Sequence, residues 1–223
     1  MLASVKYDDL ETRARHSLGA SNIAIYSMVA EALERHHAGG GLLIDVGCGR
    51  GNLWSFVRSR FDRHIGVDAI AFEGFPPDAE FHRVDLETGS VPLPDGSGDV
   101  VAAVETIEHL ENPRAFMREL VRLAMPGGLV IVTTPNLLSV LTLVLKHRFA
   151  AFQDVDYPAH RTALLEVDLR RIAAECRLTD VEIAYSHEGR IALTSCRYPR
   201  SLSRLFPRAL SDNLLLIGRT AGG

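Results

Sequence analysis

A glycine-rich turn after a short apolar strand is the first part of the sequence that could bind a ligand. The run LLIDVGCGRG begins at Leu42, and a helical pattern starts at Asn52. An apolar run that ends in alternating glycines and then opens a helix is a strand–turn–helix. Its glycines let the backbone take positive φ angles and let a ligand approach closely. We therefore predict a small-molecule site at this turn.

The acidic residue Asp45 indicates which ligand the turn favours. A dinucleotide fingerprint, G-x-G-x-x-G, would need a glycine where Asn52 stands. A carboxylate two residues before Gly47 would repel a pyrophosphate but attract an ammonium or sulfonium group. Such a charge pair at about 4 Å, in an effective dielectric of 20, contributes roughly 4 kcal/mol before desolvation. The turn is predicted to bind a cationic, amino-acid-like ligand.

A second group of reactive residues follows the fourth predicted strand. Glu105, Glu108 and His109 lie within five positions, at the strand end where ligands bind in open α/β sheets. A histidine suits proton removal from a hydroxyl near pH 7, so His109 is predicted to be a general base. Alternatively, these three residues and His160 from a later loop could hold a divalent ion such as Mg²⁺. In a further alternative, Glu105 lines the cofactor pocket and Glu108 orients His109.

Alternating strands and helices must position these residues. Asp68 ends the second predicted strand, about 20 residues beyond the glycine turn, where an acid that binds ribose hydroxyls is expected. The β–α alternation with short loops predicts a parallel sheet flanked by helices. Strands are predicted at 42–44, 63–68, 80–84, 99–104, 129–133, 178–185 and 214–218, and helices within 7–38, from 52, and at 113–123, 137–145 and 162–176.

The motifs resemble, in order, those of class I S-adenosylmethionine-dependent methyltransferases. The resemblance runs from about Leu42 to about Asn136 and rests on DVGCGRG, two strand-end acids, ETIEH and MPGGLVIVTTPN. It implies a Rossmann-like, doubly wound, mostly parallel seven-stranded α/β sheet with helices on both faces. It also implies that Asp85 meets the adenine amino group and that Leu86 offers its backbone N–H to the ring. The residues expected to bind S-adenosylmethionine are Asp45, Val46, Gly47, Cys48, Gly49, Gly51, Asn52, Leu53, Asp68, Ala69, Asp85, Leu86, Glu105 and Thr106.

The resemblance also suggests how the chain is divided. We expect an N-terminal helical cap at 1–40 that lies over the cleft or simply packs on the domain, followed by a methyltransferase domain at 41–223. Residues 136–162 are expected to form either a core helix or a lid on the acceptor side.

The acceptor is predicted to be a hydroxyl. No Asn-Pro-Pro-Tyr run, which grips amines in related N-methyltransferases, follows the fourth strand; ETIE stands there. The expected catalytic residues are His109, Glu108 and His160, and the expected acceptor is a sugar, glycan or secondary metabolite. Ubiquinone-pathway and small-RNA 3′-end methyltransferases show a similar Glu-x-x-Glu-His run with a later histidine. Metal-assisted methylation of a quinone precursor or of an RNA 2′-hydroxyl is therefore an alternative, as is a non-catalytic cofactor-binding subunit.

Composition limits the partners. The 223 residues carry a net charge of −4, with 47% hydrophobic and 23% charged residues, so no global attraction to nucleic acid or to an anionic membrane is expected. The three cysteines form no paired framework, the first residues are too polar for a signal peptide, and no apolar run could span a membrane. A cytoplasmic protein is expected. Five arginines between positions 190 and 208 could contact an anionic acceptor or form a solvated face.

Overall fold

The computed structural model describes residues 19–149 and 160–222. Its centre is a seven-stranded sheet in the order β3-β2-β1-β4-β5-β7-β6. All neighbouring strands are parallel except β7, which runs antiparallel to both β5 and β6. The strands are β1 Leu42–Val46, β2 Arg63–Asp68, β3 Glu80–Arg83, β4 Gly98–Val104, β5 Ala124–Pro135, β6 Thr179–Tyr185 and β7 Asn213–Arg219. The predicted Rossmann-like, mostly parallel sheet is confirmed.

Helices cover both faces of the sheet, because alternate residues of each central strand point to opposite sides. Leu43 of β1 joins an apolar cluster with α1 and α2, whereas Ile44 joins a second cluster with α3 and α5. The helices are α1 Ile23–His36, α2 Asn52–Val57, α3 Pro113–Leu123, α4 Val140–Phe149, α5 Glu166–Glu175, α6 Arg200–Leu205 and α7 Pro207–Leu210. Among the described residues, no helix is long and apolar enough to cross a membrane.

Asparagine side chains begin two of the helices. Asn22 accepts a hydrogen bond from the Ala24 backbone N–H, and Asn112 accepts one from the Ala115 N–H. The two capping bonds fix the start of α1 and of α3, where Pro113 also occupies the first helical position. The predicted start of α3 is thereby confirmed, while the helical pattern predicted for residues 7–18 lies outside the described residues.

Two predicted element starts were wrong, and one pair of helices was missed. The helix predicted from Thr162 begins at Glu166, because Thr162 donates its backbone N–H to Glu108 and its hydroxyl to Leu110. Strand β5 begins at Ala124, five residues before the predicted start at Leu129. Helices α6 and α7 fall in the arginine-rich stretch, for which no element was predicted.

Candidate active site

The glycine turn lies at the carboxyl edge of β1 and leaves no room for side chains. Gly47 has a φ of 78°, and a Cβ added to it would collide with the side chain of Thr106 from the end of β4. A Cβ on Gly49 would collide with the backbone of Gly19, whose carbonyl accepts a hydrogen bond from the Arg50 N–H. The turn therefore packs between the end of β4 and the segment before α1.

Asp45 supplies a buried carboxylate beneath this turn. Its side chain is on the α1 and α2 face of the sheet, the residue is 1% exposed, and its Oδ1 atom is buried without a hydrogen-bond partner among the described residues. Its Oδ2 atom lies 3.9 Å from Nε2 of His64, which stacks on Trp54. An orphaned buried carboxylate oxygen is costly unless a cation or donor meets it. The atom therefore fits the ammonium of an amino-acid-like ligand.

Tyr26 of α1 adds a hydroxyl to the same region. The hydroxyl accepts a hydrogen bond of 2.8 Å from the Ser21 N–H and also bonds the side chain of Asn52. Burial raises the pKa of Tyr26, and the nearby charge of Asp45 raises it further. The first turn of α1 thus contacts the glycine loop and the start of α2.

Three of the predicted cofactor residues turn their side chains into the protein. Val46 and Leu53 belong to the two apolar clusters, and the Cys48 thiol is buried beside Gly66 and Phe75. Burial raises the pKa of the Cys48 thiol well above its usual value, with smaller effects from nearby acids. Only the backbone of these three residues remains for contact with a cofactor.

Asp68 holds the far side of the glycine turn. Its carboxylate accepts hydrogen bonds from the backbone N–H groups of Gly49, at 2.8 Å, and Ala69, at 2.7 Å. Burial raises its pKa, while these backbone donors oppose the rise. Each carboxylate oxygen accepts more than one hydrogen bond, so two ribose hydroxyls can still be bound there.

Asp85 follows β3, and its side chain stabilises a turn. Its carboxylate accepts the Glu87 N–H and the Thr88 hydroxyl, each at 3.0 Å. Leu86 packs partly buried against the larger apolar cluster. The turn fixes the Asp85 carboxylate at the same edge of the sheet as Asp68, because β2 and β3 are parallel neighbours.

Glu105 departs from an ordinary strand end. Its φ is 51°, a left-handed value that is unfavourable for a residue with a Cβ. The Thr133 hydroxyl accepts the Glu105 N–H and donates to Oε1 at 2.8 Å, while Asn213 Nδ2 donates to Oε2 at 2.8 Å. This network ties the carboxyl ends of β4 and β5 to the start of β7.

His109 lies one 3₁₀ turn beyond Thr106. The turn covers Ile107–His109, and the His109 N–H donates to the Thr106 carbonyl at 3.0 Å. Since Thr106 packs against Gly47, the histidine is connected to the glycine turn through a short, regular piece of backbone. Glu108, which lies between Thr106 and His109 in the sequence, is buried.

His160 comes to this cluster from the segment that follows α4. The N–H groups of Arg161 and Thr162 donate to the Glu108 carbonyl at 2.8 and 3.0 Å, which docks the segment there. The His160 ring lies edge-on to His109 with 4.8 Å between centroids. Burial, and to a smaller extent His109, lowers the pKa of His160 to about 4. His160 is therefore neutral near pH 7.

Three side chains of this cluster could share an ion. One ligand atom each from Glu108, His109 and His160 lies within 4.8 Å of the others. One carboxylate and two imidazoles suit Mn²⁺, Fe²⁺ or Zn²⁺ better than the Mg²⁺ expected from the sequence. Glu105, predicted as a fourth ligand, lies outside this cluster, and its two carboxylate oxygens bond Thr133 and Asn213.

The family follows from a match over most of the chain: residues 24–182 match the methyltransferase domain family. The chain belongs to the class I S-adenosylmethionine-dependent methyltransferases. It is 36% identical over 104 residues to a probable S-adenosylmethionine-dependent methyltransferase of Mycolicibacterium smegmatis, covering 45% of this chain and 40% of the relative. It is 33% identical over 104 residues to the chloroplastic tocopherol O-methyltransferase of Arabidopsis thaliana, covering 41% and 29%. The matches thus span well under two thirds of either relative.

A solved structure supports the same family fold. The crystal structure of a SAM-dependent methyltransferase from Archaeoglobus fulgidus superposes with a TM-score of 0.65 at 18% identity, over 95% of this chain and 100% of that one. At this identity the likeness concerns the fold of the methyltransferase alone.

Four residues at the site of this methyltransferase were missed by sequence reasoning. Tyr26 and Asn213 come from elements far from the motifs in sequence, so their proximity depends on the tertiary fold. Two others gave a local signal. His64 interrupts the apolar strand RHIGVD, and Thr133 lies within the TTPN run.

Proposed function

We propose that this chain transfers a methyl group from S-adenosylmethionine to a hydroxyl of a small acceptor. The observation that carries the proposal is the packing of Thr106 on Gly47. It places the Glu108, His109 and His160 cluster one short turn from a glycine loop with an orphaned carboxylate oxygen. The proposed cofactor site and the proposed base therefore lie at the same edge of the sheet.

Each part of the loop has a proposed role toward the cofactor. Asp45 receives the ammonium group, Asp68 accepts the ribose hydroxyls, and Asp85 with the Leu86 backbone meets the adenine. Gly47, Gly49 and Gly51, with the backbone of Val46, Cys48, Asn52 and Leu53, line the turn, while Ala69, Glu105 and Thr106 border the pocket. When bound, S-adenosylmethionine supplies an electrophilic methyl group whose leaving group is a neutral thioether.

His109 takes the proton that the acceptor hydroxyl loses as the new carbon–oxygen bond forms. His160, neutral near pH 7, lies beside it and adds no competing positive charge. Glu108 holds the segment that carries His160 through its backbone carbonyl. Positioning of acceptor and cofactor supplies the rest of the rate acceleration.

The proposed acceptor is a hydroxyl of a sugar, glycan or secondary metabolite. The His109 base and the absence of an amine-gripping run after β4 support a hydroxyl. Similarity to a tocopherol O-methyltransferase supports oxygen as the acceptor atom and makes a phenol the nearest alternative.

Metal-assisted transfer is the second candidate. It is favoured by the convergence of Glu108, His109 and His160 within 4.8 Å and by the neutral His160 imidazole, which has a lone pair for a metal. An ion there would lower the pKa of the acceptor hydroxyl. In that case these three residues would be ligands and His109 would not act as the base.

The flanking segments complete the proposal. Contacts of Gly19 and Tyr26 with the glycine turn support a cap over the cofactor. Residues 150–159 of the expected lid at 136–162 lie outside the described residues. Its ends are anchored, with Asn136 bonded to the β6–β7 connection and residues 161–162 bonded to Glu108.

A transfer assay tests the proposal. The protein is incubated with S-adenosylmethionine labelled in its methyl group and with nucleotide sugars, lipid-linked glycans, phenols, amines and short RNAs. Label is expected in a hydroxyl compound and to be lost with His109→Gln. Transfer confined to amines or RNA would overturn the proposed acceptor class, and absence of transfer with any compound would favour a non-catalytic subunit.

A further inference from the structure

The connection between β6 and β7 lies on the side of the sheet where the site opens. Tyr185 ends β6 and Asn213 starts β7 beside Pro135, the last residue of β5, so the chain between them runs along the carboxyl edge. Asn136 Nδ2 donates to the carbonyls of Arg208 and Ser211 at 2.8 and 2.7 Å. These bonds hold α6 and α7 next to the active-site edge.

Helix α6 presents its apolar side chains outward. Ser203 is fully buried, whereas Leu205 is 70% exposed and Phe206, just after the helix, is 53% exposed. Leu202, also exposed, precedes them by three and four positions, so all three share one face. A surface helix ordinarily buries such residues and exposes its serines. The exposed face of α6 therefore indicates a binding surface for an apolar partner outside the chain.

Arginines flank this apolar face. Arg200, Arg204 and Arg208 recur at four-residue spacing, and all three are exposed. Arg200 and Arg208 pair with Glu188 and Glu166. Arg204 forms no ion pair with any residue in 19–149 or 160–222.

The charge balance of the connection indicates the sign of the partner. From Glu188 to Asp212 the sequence contains five arginines and two acids, although the whole chain is acidic. Excess positive charge beside exposed leucine and phenylalanine is the pattern of a surface that lies in the interface of an anionic bilayer.

We infer that Leu202, Leu205, Phe206 and Arg204 form a docking surface for an anionic lipid bilayer. Docked in this way, the protein would turn the carboxyl edge of its sheet toward the membrane surface. If the proposed function holds, this docking narrows the acceptor to a hydroxyl compound that is attached to lipids or dissolved among them. The narrowing of the acceptor rests on the proposed function. The lipid binding itself does not depend on the proposed function.

Vesicle flotation tests this docking surface. Vesicles of phosphatidylcholine alone are compared with vesicles of equal parts phosphatidylcholine and phosphatidylglycerol. The protein is expected to float with the anionic vesicles and to be released by salt. Replacing both Leu205→Ser and Phe206→Ser should lower the partition constant by at least about tenfold, and Arg204→Gln should lower it about fivefold.

The control is Met125→Ser, because Met125 is exposed at the opposite edge of the sheet and its loss should leave flotation unchanged. Equal flotation of the double variant and this control, or no flotation of the wild type, would overturn the inference. So would a wild-type dimer in sedimentation equilibrium that the double variant breaks, because the face would then belong to a second copy. S-Adenosylhomocysteine binding, measured on the same samples, shows independently whether the proposed cofactor site is sound.

Discussion

His160 lies edge-on to His109 with 4.8 Å between their ring centroids, although the two residues come from different segments of the chain. Burial is the main reason that the pKa of His160 falls to about 4, and the neighbouring imidazole adds to the effect. The native protein therefore excludes a proton that the unfolded chain would accept below about pH 6.5.

This exclusion predicts how stability depends on pH. Between about pH 6.5 and pH 4 the unfolded state binds more protons at His160 than the native state, so stability is lost as the pH falls through this window. Urea unfolding near pH 7 and near pH 4.5 should show a smaller acid-induced loss for His160→Gln than for the wild type. Equal losses of unfolding free energy for the two proteins would contradict the lowered pKa of His160.

Alanine substitutions at two glycines with similar φ angles distinguish backbone strain from steric exclusion at the glycine turn. Gly47 and Gly127 have φ of 78° and 75°, but a Cβ on Gly47 meets Thr106, whereas one on Gly127 meets no atom of the described residues within 4 Å. Both changes to alanine should cost about 1 kcal/mol of backbone strain. Only Gly47→Ala should also displace Thr106 and weaken S-adenosylhomocysteine binding. A similar loss of binding in Gly127→Ala would contradict this explanation.

Much of the fold was predictable because local chemistry determined it. Asn112 and Pro113 start α3 where the sequence indicated, and the bounds of β2 agree with the prediction. Parallel strands are apolar runs ended by acids or glycines, which are strong local signals. The predicted start of α5 failed because Thr162 bonds Leu110, a tertiary contact that propensity does not report.

The site was predictable only where its residues belong to motifs. The sequence suggested that His160 meets Glu108 and His109, and the structure brings the three together. It also suggested Glu105 as a ligand, but the Glu105 carboxylate instead bonds Asn213, whose position depends on the antiparallel return of β7.

The network around Glu105 should be sensitive to loss of one hydroxyl. Thr133→Val keeps the shape of the side chain but removes both hydrogen bonds to Glu105, whose φ of 51° depends on such support. We expect a loss of about 1–3 kcal/mol in the free energy of unfolding. Ser203→Ala is the contrast, because the buried Ser203 hydroxyl makes no hydrogen bond within the described part of the chain and its removal should be neutral or stabilising. Equal changes in the free energy of unfolding for the two variants would contradict a stabilising role of the Thr133–Glu105 hydrogen bonds.

His109 should govern the chemical step and leave cofactor binding intact. His109→Gln is expected to lower kcat about 10²- to 10⁴-fold while the Kd for S-adenosylhomocysteine stays unchanged. His82→Gln, on β3, is the matched control and should retain activity. Activity should also survive strong chelators. Loss of activity on chelation, with recovery on adding Mn²⁺, would contradict the base and assign His109 to a metal site.

The central claim is that the buried Asp45 carboxylate next to the glycine loop receives the ammonium group of S-adenosylmethionine. Titration calorimetry with S-adenosylhomocysteine tests this claim most directly, because that compound keeps the ammonium group. The wild type should bind the ligand, and Asp45→Asn should bind it about 10- to 100-fold more weakly. The variant should fold at least as stably as the wild type without ligand, because it removes a buried charge. Equal affinity of the two proteins, or binding of NAD with none of S-adenosylhomocysteine, would contradict the claim.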